Sequence, residues 1–457
     1  MTDHLQTDFV RDVLSAAGAE VRFGGSADIR DGVADSRQAK PGDLFAAFRG
    51  EHLDGNEFVA DALERGATAV VCERADALSP PGRTVAIAPD TRAAMAALAQ
   101  AWRRACGVTV VGITGTVGKT SAKELTAATL AGRFRTHRSK ENFNSYEGLP
   151  LALMSLRRDH EVSVLEMAMD RRGEIAQLCG IAEPRIGAVL NIGVTHAEKV
   201  GTIDDIAREK LSLVRSLPPD GIALLNADDP RVAAARESLA CRVITFGTGS
   251  EADLRAVAVR DLGLEGVGFE VRFGGQCAAA RSPLPGVHTL AAALTALGVC
   301  LALGLSLSEG AALLGRARPP GRMVPRRGRG GWLILDDRYN ASPASMEGAL
   351  RFLAAREGRR IAFLGGMAEL GVYSESEHRR IGRVAAECCD LLVASGELAR
   401  PLADEAELAG AQVVWFASKE EAAAWLAPKL RSGDVVLVKA SRGQAFETVI
   451  PRLEEGA

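Results

Sequence analysis

The chain has 457 residues, too many for one hydrophobic core, which predicts about two to four domains. Apolar residues make up 47% and charged residues 25%, the proportions of a globular protein, and the formal net charge of −3 gives no reason to expect nucleic acid as a partner. Eight scattered cysteines, without a Cys-x-x-Cys pair, argue against a zinc cluster or a disulfide framework and favour a cytoplasmic protein.

Residues 1–107 form the first predicted domain, a small unit of mixed helices and strands. Its short apolar runs predict strands at residues 42–48, 67–73 and 83–89. Helices are expected at residues 58–67, where Gly66 ends the pattern, and at 91–105.

Residues 108–317 form the second predicted domain. The runs VTVVGI, EVSVLEM, IGAVLNI and GIALLN alternate with helical stretches such as KTSAKELTAATL. Continuous β-branched and aliphatic runs are typical of strands buried on both faces of a parallel sheet, so this domain is predicted to be α/β.

One uncharged segment in this domain, Leu290–Leu307, is eighteen residues long, at the short limit of a membrane span. It is rich in alanine and glycine and lacks aromatic belts and flanking cations. We therefore expect no membrane span here, but buried helices with a break at Gly298 or Gly304.

Residues 318–457 form the third predicted domain. The segments PPGR and RRGRGG, between residues 319 and 331, have the composition of a boundary. The runs LILDD, IAFLGG, DLLVASG, VVWFAS and DVVLVKAS then predict five strands separated by helices, which indicates a second doubly wound unit.

A glycine-rich segment, GITGTVGKTS, joins the first strand of the second domain to its first helix. Ile113 stands where the usual phosphate-loop pattern requires glycine, so the strict spacing fails by one place. The strand–turn–helix context nevertheless favours a phosphate-binding turn over a chance Gly-Lys-Thr. Lys119 would reach the outer phosphates and Thr120 would offer its hydroxyl to Mg²⁺.

Three further side chains are candidates for the same site. Glu166 and His196 each follow a predicted strand at its carboxyl end, where ligands gather in open parallel sheets. Lys210 lies in the middle of the apolar face of a predicted helix, which is costly for a cation unless it is paired or chemically altered. The structural alternatives are a solvent-facing acid, a satisfied polar histidine and a lysine whose amine reaches water.

Two polar segments in the third domain also follow strands. DDRYNASP, at Asp336–Pro343, suits ribose or phosphate contacts, and Lys439, Ser441 and Arg442 follow the last strand, where the cations could hold a carboxylate. Ordinary turn chemistry is the alternative for each segment alone.

Together these motifs resemble those of the Mur ligase family, which joins amino acids or dipeptides to the peptidoglycan precursor. That family's phosphate loop reads Thr-Gly-x-x-Gly-Lys-Thr/Ser, which is TGTVGKT here, so the unusual spacing is the family's own. The resemblance covers about Val33 to Val449. Several motifs are most similar to the member that adds D-alanyl-D-alanine: DSRQAKPGDLFAAFRGEHLDG, ENFNSYEGLP, LEMAMDRRGEI, NIGVTHAEKVGT, LLNADD, DDRYNASPASM, GGMAELG and VLVKASR.

The resemblance implies three α/β domains with one task each. Residues 1–107 would bind the UDP-sugar precursor, and 108–317 would be a central parallel-sheet ATPase domain of the P-loop type. Residues 318–457 would be a Rossmann-like domain that contacts the second substrate and the nucleotide. The implied reaction joins D-Ala-D-Ala to UDP-MurNAc-tripeptide through an acyl phosphate, with ATP converted to ADP, in a cytoplasmic monomer.

The resemblance also implies roles for individual residues. Lys119, Glu166, His196 and Lys210 would be catalytic. Thr120 and Glu166 would bind one Mg²⁺, and Glu166, His196 and a carbamylated Lys210 would bind a second. The ATP-contacting residues would be Gly115, Thr116, Val117, Gly118, Lys119, Thr120, Ser121, Arg322 and Asp337. The substrate-binding residues would be Ser36, Arg37, Asn142, Asn144, Asn340, Lys439, Ser441 and Arg442.

Some positions depart from the family pattern, mainly Ser145, Tyr146, Glu147, Thr289 and Arg338. These departures leave two alternatives open. One is a related amide ligase with a different acceptor, such as a specialised metabolite or a folate-type polyglutamate. The other is a nucleotide-binding relative without catalytic activity.

Overall fold

The computed structural model describes residues 3–50, 53–74, 81–140, 142–195, 197–320 and 323–456. Three large sheets contain five, nine and six strands, and the five-stranded sheet is accompanied by a two-stranded ribbon. Each large sheet falls within one of the three domains expected from the sequence. The exact boundaries at residues 107 and 317 stay predictions.

The first sheet has the order β2-β7-β6-β5-β4, with β2 antiparallel to β7 and the other pairs parallel. The strands are β1 (Leu5–Gln6), β2 (Glu20–Arg22), β3 (Asp28–Ile29), β4 (Asp31–Val33), β5 (Asp43–Ala46), β6 (Ala69–Cys72) and β7 (Thr84–Ile87). The helices are α1 (Thr7–Ala16), α2 (Val59–Glu64) and α3 (Thr91–Cys106).

Helix α3 joins this sheet to the rest of the molecule. Asp90 caps its first turn by accepting hydrogen bonds from Arg92 N and Ala93 N, and Gly107 ends it in the left-handed conformation. The buried Trp102 donates from Nε1 to Leu156 O, 3.0 Å away in the second domain. The hydrophobic core is therefore continuous from the first domain into the second.

The second sheet has the order β16-β15-β14-β13-β12-β11-β8-β10-β9. Its strands are β8 (Thr109–Thr114), β9 (Thr136–Arg138), β10 (Val162–Glu166), β11 (Ile186–Val189), β12 (Ile222–Asn226), β13 (Arg242–Gly247), β14 (Leu254–Asp261), β15 (Val267–Phe273) and β16 (Gln276–Ser282). Its helices are α4 (Lys119–Leu130), α5 (Gly148–Met154), α6 (Glu174–Ala182), α7 (Ala197–Val200), α8 (Ile203–Arg215), α9 (Pro230–Ala233), α10 (Leu290–Ala302) and α11 (Leu307–Arg316).

The predicted parallel strands of this sheet are all present, and β8 lies between β10 and β11. Strands that follow β8 in the sequence lie on both sides of it. The carboxyl ends of β8, β10 and β11 therefore meet at one crevice of the sheet. The antiparallel strands β14 to β16 were not predicted. Their side chains alternate between buried and exposed positions, so they lack the continuous apolar runs from which the other strands were recognised.

The uncharged segment forms the whole of α10 and the first residue of α11, with the break at Gly304, so buried helices are present as expected. This glycine has φ of 85°, a conformation that other residues rarely adopt. Gly298 lies inside α10, where a Cβ would come within 3.2 Å of the Leu224 side chain. Within the described parts of the chain, every helix is too short or too polar to cross a membrane.

The third sheet has the order β17-β18-β22-β19-β20-β21. Its strands are β17 (Val324–Arg327), β18 (Leu333–Asp336), β19 (Arg360–Leu364), β20 (Leu391–Ser395), β21 (Val413–Phe416) and β22 (Val435–Lys439). Its helices are α12 (Pro343–Ala354), α13 (Ser374–Cys388), α14 (Arg400–Leu408), α15 (Lys419–Leu426) and α16 (Ile450–Glu455). The five predicted strands are present. An antiparallel edge strand that was not predicted, β17, pairs with β18 and includes Arg326 and Arg327, the first two residues of the basic segment; the boundary itself stays a prediction.

Candidate active site

The glycine-rich turn, Gly115–Gly118, connects β8 to α4 at the centre of the second sheet. Gly118 has φ of 85° at the start of the helix, and a Cβ on Gly115 would lie 2.9 Å from Leu190 Cβ. Both positions therefore require glycine, one for conformation and one for space. Lys119 folds back over the turn and donates from Nζ to Gly115 O at 2.9 Å and to Thr116 O at 3.1 Å.

Asn191, just past β11, holds this turn and was not singled out from the sequence. Its Oδ1 accepts from Thr116 N at 3.0 Å and from Val117 N at 2.8 Å, and its Nδ2 donates to Val117 O at 3.0 Å. The only available signal was an amide side chain at a strand's carboxyl end. The backbone contacts depend on the neighbouring strand and could not be read from the sequence.

Glu166 ends β10 beside the turn and is buried. Its Oε2 accepts from Thr120 Oγ1 and its Oε1 from Asn144 Nδ2, each at 2.8 Å. Thr120 and Glu166, predicted to bind the same Mg²⁺, thus lie side by side, and Asn144, predicted to bind substrate, contacts Glu166 instead. A carboxylate and a hydroxyl side by side supply the hard oxygen ligands that Mg²⁺ prefers.

Lys210, on α8, is buried as the helical pattern predicted, with 1% of its surface exposed. Its Nζ donates to Gly115 O at 2.9 Å, and this hydrogen bond ties α8 to the glycine-rich turn. Burial lowers the pKa of this amine well below its usual value, and the charge of Lys119 lowers it further, although Glu209 and Glu166 oppose the shift. The site therefore favours the unprotonated amine more than water does.

Two predicted residues, His196 and Arg322, lie outside the described residues, so the second expected metal site lacks one of its three members here. Within the described ranges, no three histidine, cysteine, aspartate or glutamate side chains cluster as metal ligands would. Thr195, the described residue just before His196, lines the cavity described next, and helix α7 begins just after it.

A cavity of about 340 Å³, the main cavity, lies where the second and third domains face each other. From the second domain it is lined by residues including Thr116–Thr120, Asn142, Asn144, Ser145, Glu166, Asp170 and Thr195. From the third domain it is lined by Tyr339–Ser342, Ser345, Ala368–Leu370 and Ser441–Gly443. The structure thus brings most of the predicted catalytic and substrate-binding residues to one space.

The predicted residues of the third domain adopt different roles at this wall. Arg442 lies over the Tyr339 ring, 5.4 Å from its centroid, and Asn340 lines the cavity. Ser441 accepts from Ala368 N at 2.8 Å. Lys439 is buried and pairs with Asp337 Oδ2 at 2.6 Å, so the cation expected to hold a substrate carboxylate already holds one of the chain's own.

A second cavity, of about 250 Å³, lies on the other side of the turn and shares Val117 and Gly118 with the main cavity. Ser121, Asp337 and Lys439 line it, together with the predicted departure Thr289. The hydroxyl of Thr289 donates to Gly286 O at 2.8 Å, which ties it to its own turn.

A third cavity, of about 560 Å³, lies between the first and second domains. Three of the departures, Ser145, Tyr146 and Glu147, line it. Arg92 Nε donates to Glu147 Oε1 at 2.6 Å across the domain junction. Ser145 and Asp170 line both this cavity and the main one, so the two are adjacent.

The residues predicted to bind a uridine nucleotide lie further away in the first domain. Ser36 is buried, and its hydrogen bond to the Asp61 carboxylate is the main cause of that group's lowered pKa. Arg37 is exposed and pairs with Asp35 at 2.8 Å. Neither residue lines the three cavities described above, and the fifth departure, Arg338, pairs with Asp336 at 2.9 Å.

Three family models match successive parts of the chain. They are "Mur ligase family, catalytic domain" at residues 33–103, "Mur ligase middle domain" at 113–300 and "Mur ligase, glutamate ligase domain" at 321–442. A UDP-N-acetylmuramoyl-tripeptide–D-alanyl-D-alanine ligase of Synechocystis sp. is 35% identical over 92% of this chain and 90% of its own length.

Solved structures agree with the sequence comparison. The crystal structure of MurF from Acinetobacter baumannii matches with a TM-score of 0.87 and 28% identity, covering 99% of both chains. MurF ligase from Thermotoga maritima in complex with ADP matches with a TM-score of 0.80 and 28% identity, over 93% of this chain and 97% of that one. The predicted three-domain α/β fold is confirmed, and the chain belongs to the Mur ligase family.

Proposed function

We propose that this chain joins D-Ala-D-Ala to UDP-MurNAc-tripeptide, with ATP converted to ADP and phosphate, in peptidoglycan precursor synthesis. The observation that carries the proposal is the main cavity, where the glycine-rich turn and the Thr120–Glu166 pair face the polar wall of the third domain. Relatives matching over nine-tenths of the chain bear the name of this activity.

ATP would bind along the glycine-rich turn. The turn's backbone amides and the N-terminus of α4 favour phosphate oxygens, and Lys119 needs only to leave Gly115 O and Thr116 O to reach them. The second cavity, behind the turn, offers space for the rest of the nucleotide, with Asp337 on its wall. The ADP complex of the Thermotoga relative supports this assignment.

Thr120 and Glu166 fit one Mg²⁺ site, because their oxygens lie 2.8 Å apart at the cavity wall. A bound Mg²⁺ would neutralise the charge that develops on the transferred phosphate oxygens. Asn144 keeps the Glu166 carboxylate oriented by donating to its other oxygen.

We propose that Lys210 is carbamylated and completes the second metal site with Glu166 and His196. An unprotonated amine is the form that reacts with carbon dioxide, and burial beside Lys119 favours that form. The modification would also place an anion beside the cation of Lys119, which is a favourable interaction.

The reaction would proceed in two steps. The tripeptide carboxylate attacks the γ-phosphate of ATP, ADP leaves, and an acyl phosphate forms. The amine of D-Ala-D-Ala then attacks the acyl carbon, the C–O bond to phosphate breaks, phosphate departs, and nitrogen releases its extra proton. The chain contributes mainly positioning and electrostatic stabilisation, because its own side chains form no covalent bond to substrate.

A mass-spectrometric assay with ATP, UDP-MurNAc-tripeptide and D-Ala-D-Ala tests the proposal. We expect pentapeptide product and phosphate only when both acceptor and dipeptide are present. Lys119→Ala should abolish this signal, whereas Arg133→Ala, which removes an exposed cation just beyond α4, should not. Wild-type turnover by Lys119→Ala would exclude the role assigned to the turn.

A related ligase with a different acceptor is the second candidate. It is favoured by the third cavity, where Tyr146 and Glu147 depart from the family pattern and Glu147 is tied to Arg92. A panel of acceptors that contains UDP-MurNAc-tripeptides with different third residues and also folate-type and other carboxylate acceptors separates the candidates. Product from an unrelated acceptor alone would replace the first proposal.

We further propose that the protein acts in the cytoplasm as a monomer. All eight cysteines are free thiols, as expected for a reducing compartment, and the second and third domains of the same chain together line the main cavity. Light scattering of the purified protein tests the monomer, and an active dimer would contradict it.

A further inference from the structure

Glu369 lies at the strained tip of a loop to which the proposed function assigns no role. The loop, Gly365–Leu370, follows β19 and carries most of the motif GGMAELG. Glu369 has φ of 65°, in the left-handed region that side chains other than glycine seldom adopt. Such strain persists only where the surrounding structure imposes it, and it concentrates at functional sites.

Four successive backbone amides hold this loop in place, and three of their acceptors are side chains from other segments. The pairs are Gly365 N with Lys439 O (2.9 Å), Gly366 N with Gln444 Oε1 (3.1 Å), Met367 N with His378 Nε2 (2.8 Å) and Ala368 N with Ser441 Oγ (2.8 Å). The path of the chain into residue 369 is therefore fixed by the third domain, and it directs an exposed glutamate to the main cavity.

The wall of the main cavity formed by the third domain carries two opposite charges. Among its described lining residues, the charged side chains are Glu369 and Arg442. Arg442 is held over the ring of Tyr339, with Nη1 3.5 Å from the phenol oxygen. An extended dipeptide is a zwitterion with an ammonium group at one end and a carboxylate at the other, so an acid and a guanidinium on a single wall offer a partner of opposite charge to each end.

The acids on the opposite wall have other surroundings. Both oxygens of Glu166 accept hydrogen bonds, from Thr120 and Asn144, which orients them for a cation. Asp170 lies where the main cavity meets the third cavity, on the side of the first domain. Glu369 is the acid that the third domain itself contributes.

The loop also reaches the second domain. At Gly371, two residues beyond Glu369, a Cβ would lie 2.9 Å from Cγ of Glu198 on α7. The loop therefore touches the segment that follows β11, beside Thr195 at the edge of the main cavity. A group bound by Glu369 would therefore lie between the third domain and the part of the second domain that carries the glycine-rich turn.

We propose that Glu369 binds the ammonium group of the second substrate while Arg442 binds its carboxylate. The inference rests on the proposed function and deepens it, since it assigns the two ends of D-Ala-D-Ala to two side chains. It makes Glu369 a substrate-binding residue, and the loop's hydrogen bonds the means by which its position is fixed.

Steady-state kinetics of the full chain test the inference. Loss of one charge-assisted hydrogen bond in Glu369→Gln should raise KM for D-Ala-D-Ala about 10- to 100-fold and leave KM for ATP unchanged. The control Glu420→Gln removes an exposed carboxylate from α15 in the same domain and should leave both constants unchanged. N-acetyl-D-Ala-D-Ala, which has no ammonium group, should inhibit wild type and Glu369→Gln equally.

Two further variants separate the effect of the Glu369 charge from the effect of its backbone strain. Glu369→Asn and Glu369→Gly both remove the carboxylate, and both residues tolerate a positive φ. Both should show the same rise in KM, with ADP binding and melting temperature retained. An unchanged KM for the dipeptide in these variants, with an active wild type, overturns the inference. No pentapeptide product from the wild type would instead overturn the proposed function.

Discussion

The buried amine of Lys210 donates a hydrogen bond to the backbone oxygen of Gly115, 2.9 Å away. The bond links α8 to the glycine-rich turn, and Lys119 donates to the same oxygen from the other side. Two lysines therefore meet at one carbonyl group, and the burial of one of them explains why its pKa is depressed. A chemical change of the Lys210 amine, such as carbamylation, would therefore alter the hydrogen bond that helps to hold the turn in place.

Lys210→Ala should lower the rate of product formation at least about 100-fold, because it removes both this support and the carbamate precursor. Short-chain carboxylates should restore part of the activity by placing an anion in the vacated space, whereas added bicarbonate should not. Arg208→Ala, an exposed change on the same helix, is the control. An unaffected Lys210→Ala would place the lysine outside the metal site.

Thr120→Val removes the hydroxyl that donates to Glu166 and keeps the shape of the side chain. The Mg²⁺ concentration for half-maximal activity should rise about 10- to 100-fold, as expected when a metal site loses an oxygen partner. Thr120→Ser retains the hydroxyl and should behave like the wild type. Equal Mg²⁺ dependence in Thr120→Val and wild type would remove Thr120 from that site.

His137 should make the protein less stable in acid. Burial lowers its pKa to about 3, and the ring is held by Ser163 and by the carbonyl of Ala152. Below the pKa of about 6.5 for an unfolded histidine, the unfolded chain binds a proton that the folded chain excludes. Stability present above pH 6.5 is therefore lost as the pH falls towards 3.

Lowering the pH from 7 to 5 should reduce the free energy of unfolding by about 2 kcal/mol through this residue. Urea denaturation at both pH values measures it, and His137→Gln should show a correspondingly smaller difference between the two. The same loss in variant and wild type would assign the acid sensitivity to other groups.

The ion pair between Arg92 and Glu147 should contribute little to stability. Both side chains are more than a third exposed, at 37% and 41%, so solvent screens their attraction. A double-mutant cycle with Arg92→Ala and Glu147→Ala should give a coupling below about 1 kcal/mol. A coupling above about 2 kcal/mol would show that the junction of the first two domains depends on this pair.

The elements around the site were largely predictable from local pattern. Helix α4 spans the predicted residues Lys119–Leu130, and the lysine out of place on an apolar helix face, Lys210, is buried. Periodicity and strand ends carry this information because they reflect which face of each element meets the core.

Features that depend on distant segments were not predictable. The contacts of Asn191 arise only because β11 lies beside β8, and the strain at Glu369 arises from four amides tethered elsewhere. Lys439 shows the same limit, because a cation at a strand end can bind a substrate or its own neighbour Asp337. Only the folded structure distinguishes these outcomes.

The third cavity has a practical consequence for inhibition. Its walls come from Arg92, Ser145–Glu147 and the segment Asp170–Glu174, away from the turn assigned to phosphate. A compound lodged there would not have to outcompete the millimolar nucleotide pool of a living cell. It would act instead at the junction of the first two domains, where Arg92 pairs with Glu147.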